Sequence, residues 1–427
     1  MQVIRQGFDR LVTDPVRCGV TLFVVAWVVR LIYVAQGYDV PPQDTRDYDD
    51  IAMNLLAGEG FVARENWFGF EMRSWRAPFY PAFLAAVYGV TGYSHDAVRV
   101  VQCLVGAGTV WLVYQTAREL DVRSASLVGA IAVVYGPFVA ISNEVMTETW
   151  FIFWQMLAFY CLCRKNAGHP WLIVGGVSVG MAALTRPVGL LLLVAYLVYA
   201  VWRTRIDWKR IALVVAAAFL VLLPWTIRNY TVHGVWPMLS THGGFILLRS
   251  NWETPDWRRT DGWQIDRETF ERIPSEMERD RQWFREGVAV IAAHPTMYLR
   301  WVAEKFLRFW YVFRPDYNLW FVLILPFFAA GLIRFGQNDG YRLAAILIAL
   351  SVVTFSFVLY GSTRFRLPLE PLFLIFAVPW CLDYVRRAGR KAGWVLSSYV
   401  IVNILIEVNE EALRSSLLSV LRSTDLK

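Results

Sequence analysis

Apolar residues in this chain fall in long, nearly unbroken runs, not in the alternating or three-four spacing of soluble elements. The first extends over 18–35, interrupted only by Arg30, and is followed by 97–117, 124–141, 149–163, 171–184, 188–202, 211–227, 319–333, 343–360 and 369–382. Each is near the ~20 residues that cross ~30 Å of hydrocarbon, or a little short of it. A weaker run, 394–406, is either a further span or a helix lying on the surface. The pattern predicts an all-α polytopic membrane protein with a bundle of about ten or eleven transmembrane helices. Two segments, 37–99 and 228–318, are too long for simple connectors.

Basic residues orient the spans. Arg5, Arg10 and Arg17 precede the first run, and Arg118, Arg123, Arg164, Lys165, Arg203, Arg205, Lys209, Arg210, Arg334, Arg342 and the group from Arg386 to Lys391 share one side if the spans alternate. That side is the cytoplasm. The chain then divides into a cytoplasmic N-terminus (1–17), a first span (18–36), a first external loop (37–99), a block of spans (100–227), a long external loop (228–318), C-terminal spans (319–385) and a cytoplasmic end with the weak run (386–427). "VAQGYD" after the first run is no small-residue cleavage site, so that run is expected to be a retained anchor.

Composition agrees. Of 427 residues 56% are hydrophobic and 18% charged, and mean hydropathy is +0.40. The net charge of +7 is mostly cytoplasmic arginine, which argues for topology and lipid headgroups over nucleic acid. Five cysteines, all in apolar runs, suit packing better than a disulfide or zinc framework.

The external loops hold the candidate chemistry. "PPQDTRDYDDIAMNLLAGEGF" carries Asp44, Asp47, Asp49, Asp50 and Glu59 against Arg46. From Asp44 to Leu56 it lacks Gly and Pro and reads as a helix. At ~100° per residue Asp44, Asp47, Tyr48, Ile51 and Leu55 form one stripe, leaving Asp49 and Asp50 to face water. The plain alternative for Asp44 is a helix N-cap. In "NEVMTE", Glu144 and Glu148 stand four apart, one turn, at the external edge of an apolar run. Such acids want a cation, either a divalent metal or an arginine. Arg186 in "LTRPVG", Arg228 in "PWTIRNY", and Arg364 and Arg366 in "STRFRLPLEP" lie on the side where positive charge is normally depleted. An anionic headgroup would explain them, with snorkelling to general lipid phosphate as the plainer option. In the second long loop, 240–264 reads as ordered loop, "PSEMERDRQWFREGVAVIAAHP" as a helix, and "PTMYLRWVAEKFLRFWYVF" as an interfacial helix with Arg300, Lys305 and Arg308 snorkelling.

Together, the acids after the first span, "WRAPFYPAFLAAVYG" (containing Arg76), "NEVMTE", "LTRP", "PWTIRN" and "RFRLPLEP" resemble the bacterial C-type glycosyltransferases. The likeness is greatest to the protein-mannosyltransferase-like and aminoarabinose-transferase-like group, and runs over about 16–379. It implies a GT-C bundle in a bacterial cytoplasmic membrane, working on the external face. The implied reaction is inverting transfer of a sugar from a polyprenyl-phosphate donor to a lipid, glycan or protein acceptor.

By the same resemblance "DTRDY" places Asp44 as general base, with Asp47 the alternate because this chain has Thr45 where the family often has Glu. Glu148 matches the acid of the second external loop. It and Glu144 would orient the acceptor or, with Asp44, hold Mg or Mn. Arg186, Arg228, Arg364 and Arg366 are candidates for the donor phosphate, and Tyr48, Arg76 and Lys305 complete the set. The competing classes are a lipid-linked-sugar flippase, a non-catalytic membrane subunit and a polymer ligase using a polyprenyl diphosphate.

Overall fold

The computed structural model describes residues 14–37, 44–65, 70–164, 167–202, 207–236, 239–251, 272–311 and 318–412. Arg5, Arg10, Pro41, Pro42, Lys165, Arg203 and Arg205 lie outside them. The described residues contain no strand beyond one isolated bridge between Ala63 and Met72.

The helices are α1 (Pro15–Val34), α2 (Thr45–Leu56), α3 (Phe79–Thr91), α4 (His95–Leu120), α5 (Ala125–Val134), α6 (Gly136–Ala140), α7 (Glu148–Cys163), α8 (His169–Thr185) and α9 (Leu190–Trp202). They continue with α10 (Trp208–His233), α11 (Gly243–Ser250), α12 (Glu276–Ala293), α13 (Pro295–Phe309), α14 (Leu319–Phe335), α15 (Asp339–Val353), α16 (Thr363–Arg366), α17 (Glu370–Ala388) and α18 (Arg390–Val408). Among the described residues, six helical stretches are long and apolar enough to cross a membrane, or seven if the bent α5–α6 pair is one span, and four other apolar helices are shorter. The weak run at 394–406 lies in α18, one of the six.

One large apolar core runs through the bundle, from Ala26 on α1 to Phe376 on α17. Small residues let helices meet closely: a Cβ on Gly176 of α8 would stand 2.4 Å from the Val214 carbonyl of α10, and one on Gly331 of α14 would stand 2.2 Å from that of Phe376. Such contacts replace the hydrophobic drive that lipid cannot supply between helices.

A smaller layer carries the loops. Tyr48 and Ala52 pack on Tyr80, Leu84 and Tyr88 of α3. Ile51 joins Trp75, Phe245, Leu248 and Trp283, tying α2 to α11 and α12.

Several expectations need correction. The 124–141 run is not one straight span: it bends by 58° between α5 and α6. The bend is at Tyr135, whose extended backbone breaks the helix just before Pro137, which has no backbone donor to carry it through. Helix α11 occupies part of the stretch expected to be loop; its remainder from residue 252 lies outside the described residues. Lys305 does not snorkel. It is 4% exposed and donates to Asn251 Oδ1 at 2.8 Å, while Arg300 on the same helix is exposed.

Candidate active site

Helix α2 forms because its stripe of Tyr48, Ile51 and Ala52 has an apolar floor to cover. Asp44 precedes its first turn with no side-chain capping bond, so the N-cap alternative does not hold. Thr45, buried beside it, donates to the Val145 carbonyl at 3.1 Å. That bond pins the start of α2 to the segment leading into α7, and so brings Asp44 near Glu148.

Six charged side chains then form one alternating chain. Arg76 donates to Asp47 Oδ2 through Nε (2.9 Å) and Nη2 (2.6 Å), and through Nη2 to Asp44 Oδ1 at 2.9 Å. Its guanidinium lies 5.1 Å from the centre of the Tyr48 ring. Arg364 donates through Nη1 to Asp44 Oδ2 at 2.9 Å and through Nε to Glu148 Oε1. Arg186 donates to the same Glu148 oxygen at 2.5 Å. Three acids and three arginines balance, as ionised groups this close to the interior must.

Exposure separates their roles. The Asp44 and Arg364 side chains are 29% and 39% exposed, whereas those of Asp47 and Glu148 are 1% and 0%. Only the first two are well placed to meet a substrate. Burial favours the neutral Asp44 carboxyl, but the Arg76 and Arg364 guanidiniums overcome it and hold the group well below the usual carboxylate range. Asp47 goes the other way: burial, aided by the charges of Asp44 and Asp50, outweighs Arg76 and raises it.

Tyr48, Arg76, Asp44, Asp47, Glu148, Arg186 and Arg364 thus come together. Glu144 stays at the rim. The helix starts only at Glu148 and Glu144 is extended (φ −95°, ψ 133°), so the two glutamates do not share a helix face. Burial, then the Glu148 charge, raises the Glu144 carboxyl.

Arg228, Arg366 and Lys305 are not in the chain. Arg228 donates to the carbonyls of Phe61 (2.8 Å) and Arg73 (2.6 Å) and to Ser74 Oγ at 2.9 Å. Arg366 is buried against Glu370. Asp49 and Asp50 are not left to water either. Asp49 accepts from Tyr88 (2.6 Å) and Tyr93 (3.0 Å) and pairs with His95 at 2.8 Å; Asp50 accepts from Glu65 N at 2.9 Å and from Arg64 N.

The donor set does not suit a divalent cation. No group of three His, Cys, Asp or Glu side chains converges among the described residues. Both Asp44 oxygens and Glu148 Oε1 already face guanidiniums, with which a metal would have to compete.

Residues 44–233 match the family model described as dolichyl-phosphate-mannose-protein mannosyltransferase. That range takes in Asp44, Arg76, Glu148 and Arg186. Among solved structures, the chain is similar to ArnT from Cupriavidus metallidurans bound to undecaprenyl phosphate. Identity is 17% and the TM-score 0.54, covering 87% of this chain and 62% of that one. It is also similar to the Archaeoglobus fulgidus oligosaccharyltransferase tethered to an acceptor peptide, at 13% identity and TM-score 0.56, covering 91% and 53%.

The fold is that of the C-type glycosyltransferases. A third GT-C neighbour, the archaeal oligosaccharyltransferase AglB from Archaeoglobus fulgidus in complex with an inhibitory peptide and a dolichol-phosphate, has 12% identity and TM-score 0.54 over 91% and 54%. The chain spans between about half and three-fifths of the length of these structures. No curated protein matches it in sequence.

Sequence reasoning missed one connection in this site: Thr45 stands out in the sequence only as a departure from the family, yet its hydroxyl joins the two acidic segments.

Proposed function

We propose that the protein is an inverting glycosyltransferase, moving a hexose or pentose from a polyprenyl-phosphate donor to a hydroxyl of a lipid, glycan or protein acceptor. The site would face the exterior of a bacterial cytoplasmic membrane. What carries the reading is the pairing of an accessible carboxylate, Asp44, with an accessible guanidinium, Arg364, on a buried ionic scaffold within the GT-C fold.

Each member has a role. Asp44 accepts the proton of the acceptor hydroxyl as its oxygen attacks the anomeric carbon from the face opposite the phosphate. The bond from that carbon to the phosphate oxygen breaks, and its electron pair leaves with the polyprenyl phosphate. The leaving group gains a negative charge as it departs, so Arg364, with Arg186 behind it, acts most strongly in the transition state. Arg364 now serves Asp44 and Glu148 together. A phosphate that draws it away leaves Asp44 with Arg76 alone and makes it a stronger base. Asp47, beneath Arg76, holds that guanidinium in place.

An apolar pocket lined by Phe151, Leu191, Leu347 and Phe355 has Arg186 in its wall. In this reading the guanidiniums supply the charge that a metal supplies elsewhere, and turnover is expected to survive EDTA.

The test is sugar transfer by purified protein in lipid nanodiscs, from a panel of undecaprenyl-phosphate-linked hexoses and pentoses. Turnover is expected from at least one donor, and Asp44→Asn should lower it by orders of magnitude while Asp50→Asn retains it. Near-wild-type turnover by Asp44→Asn would remove the assignment of the base. Nothing in the fold or the comparisons favours the flippase alternative.

A further inference from the structure

His242 belongs to no ion pair or hydrogen bond of the site, yet the fold places it with care. The backbone N–H of Thr241 donates to the Ser74 carbonyl at 2.9 Å, so 241–242 runs beside 74–76, the segment that ends in Arg76. The Thr241 hydroxyl donates to Glu276 of α12. One residue beyond His242 and Gly243, the Gly244 N–H donates to Asp280 Oδ1 at 2.7 Å, where a Cβ would strike the Asp280 carbonyl. Anchors on both sides fix the residue between them.

The ring itself is backed by aromatics. It lies 4.1 Å, centre to centre, from Trp75 and stacks on Phe245 at 5.4 Å with planes 19° apart. Trp75 and Phe245 are buried, while His242 is half-buried. Burial, with the Arg76 charge close by, pushes the imidazole down to about 3, and the Asp44 carboxylate offsets this only in part. The ring is therefore neutral at any working pH, with one nitrogen donating and the other accepting. That pair suits a hydroxyl, which also donates and accepts. It does not suit a phosphate, which needs donors alone.

We propose that His242 is a substrate-contacting residue of the transferase, taking a hydroxyl of the acceptor or of the transferred sugar beside Asp44 and Arg76. The proposal rests on the transferase reading. It divides the site by chemistry, with arginines for the phosphate and a stacked imidazole for a neutral hydroxyl. A site that hydrogen-bonds a hydroxyl discriminates strongly, because its own polar groups are left unpaired without it.

Two variants test this, using the undecaprenyl-phosphate sugar that wild type turns over best. His242→Phe keeps a ring against Trp75 and Phe245 but deletes both nitrogens; His242→Gln restores a donor and an acceptor. We expect His242→Phe to lose at least about tenfold in kcat/KM with the melting temperature unchanged, and His242→Gln to recover part of it. If the hydroxyl is the acceptor's, transfer falls and donor hydrolysis by water does not; if it is the sugar's, both fall. Wild-type kcat/KM in a folded His242→Phe for transfer and hydrolysis overturns the proposal and leaves the transferase standing. No transfer or hydrolysis by wild type from any donor overturns both.

Discussion

Arg364 and Arg366 stand two residues apart on the four-residue helix α16 and do opposite things. Arg364 is partly exposed and bridges Asp44 to Glu148. Arg366 is fully buried, donating to Glu370 Oε1 at 2.9 Å and to the carbonyls of Phe309 and Tyr311 at 3.1 Å each. Its guanidinium lies 3.4 Å from the centre of the Phe321 ring, and Tyr135 donates to the other Glu370 oxygen at 2.9 Å. Two helical residues are ~200° apart in phase, so one turn sends its cations to opposite sides. Two arginines of one short helix thus have two explanations, a ligand or a structural partner, and only the partner tells them apart.

The sharpest way to break this contrast is at the carboxylates. Asp44→Asn removes the proposed base and is expected to cost ~10³-fold in kcat, within the range for general bases, with the melting temperature little changed. Arg366→Met should do the reverse. It strands Glu370 in the core, a loss of ~3–5 kcal/mol in stability, read as a fall in melting temperature or in the yield of folded protein. Pairing it with Glu370→Gln should restore much of that. A stable Arg366→Met that transfers no sugar would move Arg366 into the site and end the comparison.

Arg364→Gln is the intermediate test, at ~10²-fold in kcat, as for the loss of one charge-stabilising donor. It also carries a signature in pH. Asp44 works as a base only when ionised, and Arg364 helps hold it below the usual carboxylate range. Removing Arg364 must raise the Asp44 pKa. The acid limb of kcat/KM, which reports the free enzyme, should therefore move to higher pH in the variant. An unmoved limb with the expected loss would mean that Asp44 is not the group titrating.

How much of this was legible depends on how local each determinant is. Helix α2 and its stripe were readable because a strong apolar pattern over one dozen residues fixes both boundary and phase. The one-turn relation between Glu144 and Glu148 failed because the chain breaks before Glu148, where Thr45 and Val145 meet across a hundred residues. Lys305 shows the same limit: snorkelling is the default for a lysine on an interfacial helix, and a single amide from Asn251 reverses it. Periodicity says which face a residue occupies, not what is packed upon it, which is why Asp49 and Asp50 were misread as solvated. The resemblance points to the arginines of "LTRP" and "RFR" alike and does not separate Arg364, on Asp44 and Glu148, from Arg366, on Glu370.

Arg228 gives the smallest effect and the finest discrimination. Besides a bond to its neighbour Asn229 at 3.0 Å, its guanidinium donates to Phe61, Arg73 and Ser74, in the segments that precede Arg76. The Ser74 hydroxyl bonds Asn229 at 2.9 Å and His233 at 2.8 Å, and Glu276 accepts the backbone N–H of Arg73 at 2.8 Å and of Ser74 at 3.1 Å. This net fixes where residue 76 leaves the loop. Arg228→Gln should consequently loosen the placement of Arg76 without removing a charge from the donor. The expected result is a loss of ~1–2 kcal/mol in stability and a drop of a few-fold in kcat, with the KM for donor unchanged. A donor KM raised tenfold at unchanged stability would instead make Arg228 a phosphate ligand, and would show that a structural partner alone does not exclude an arginine from the site.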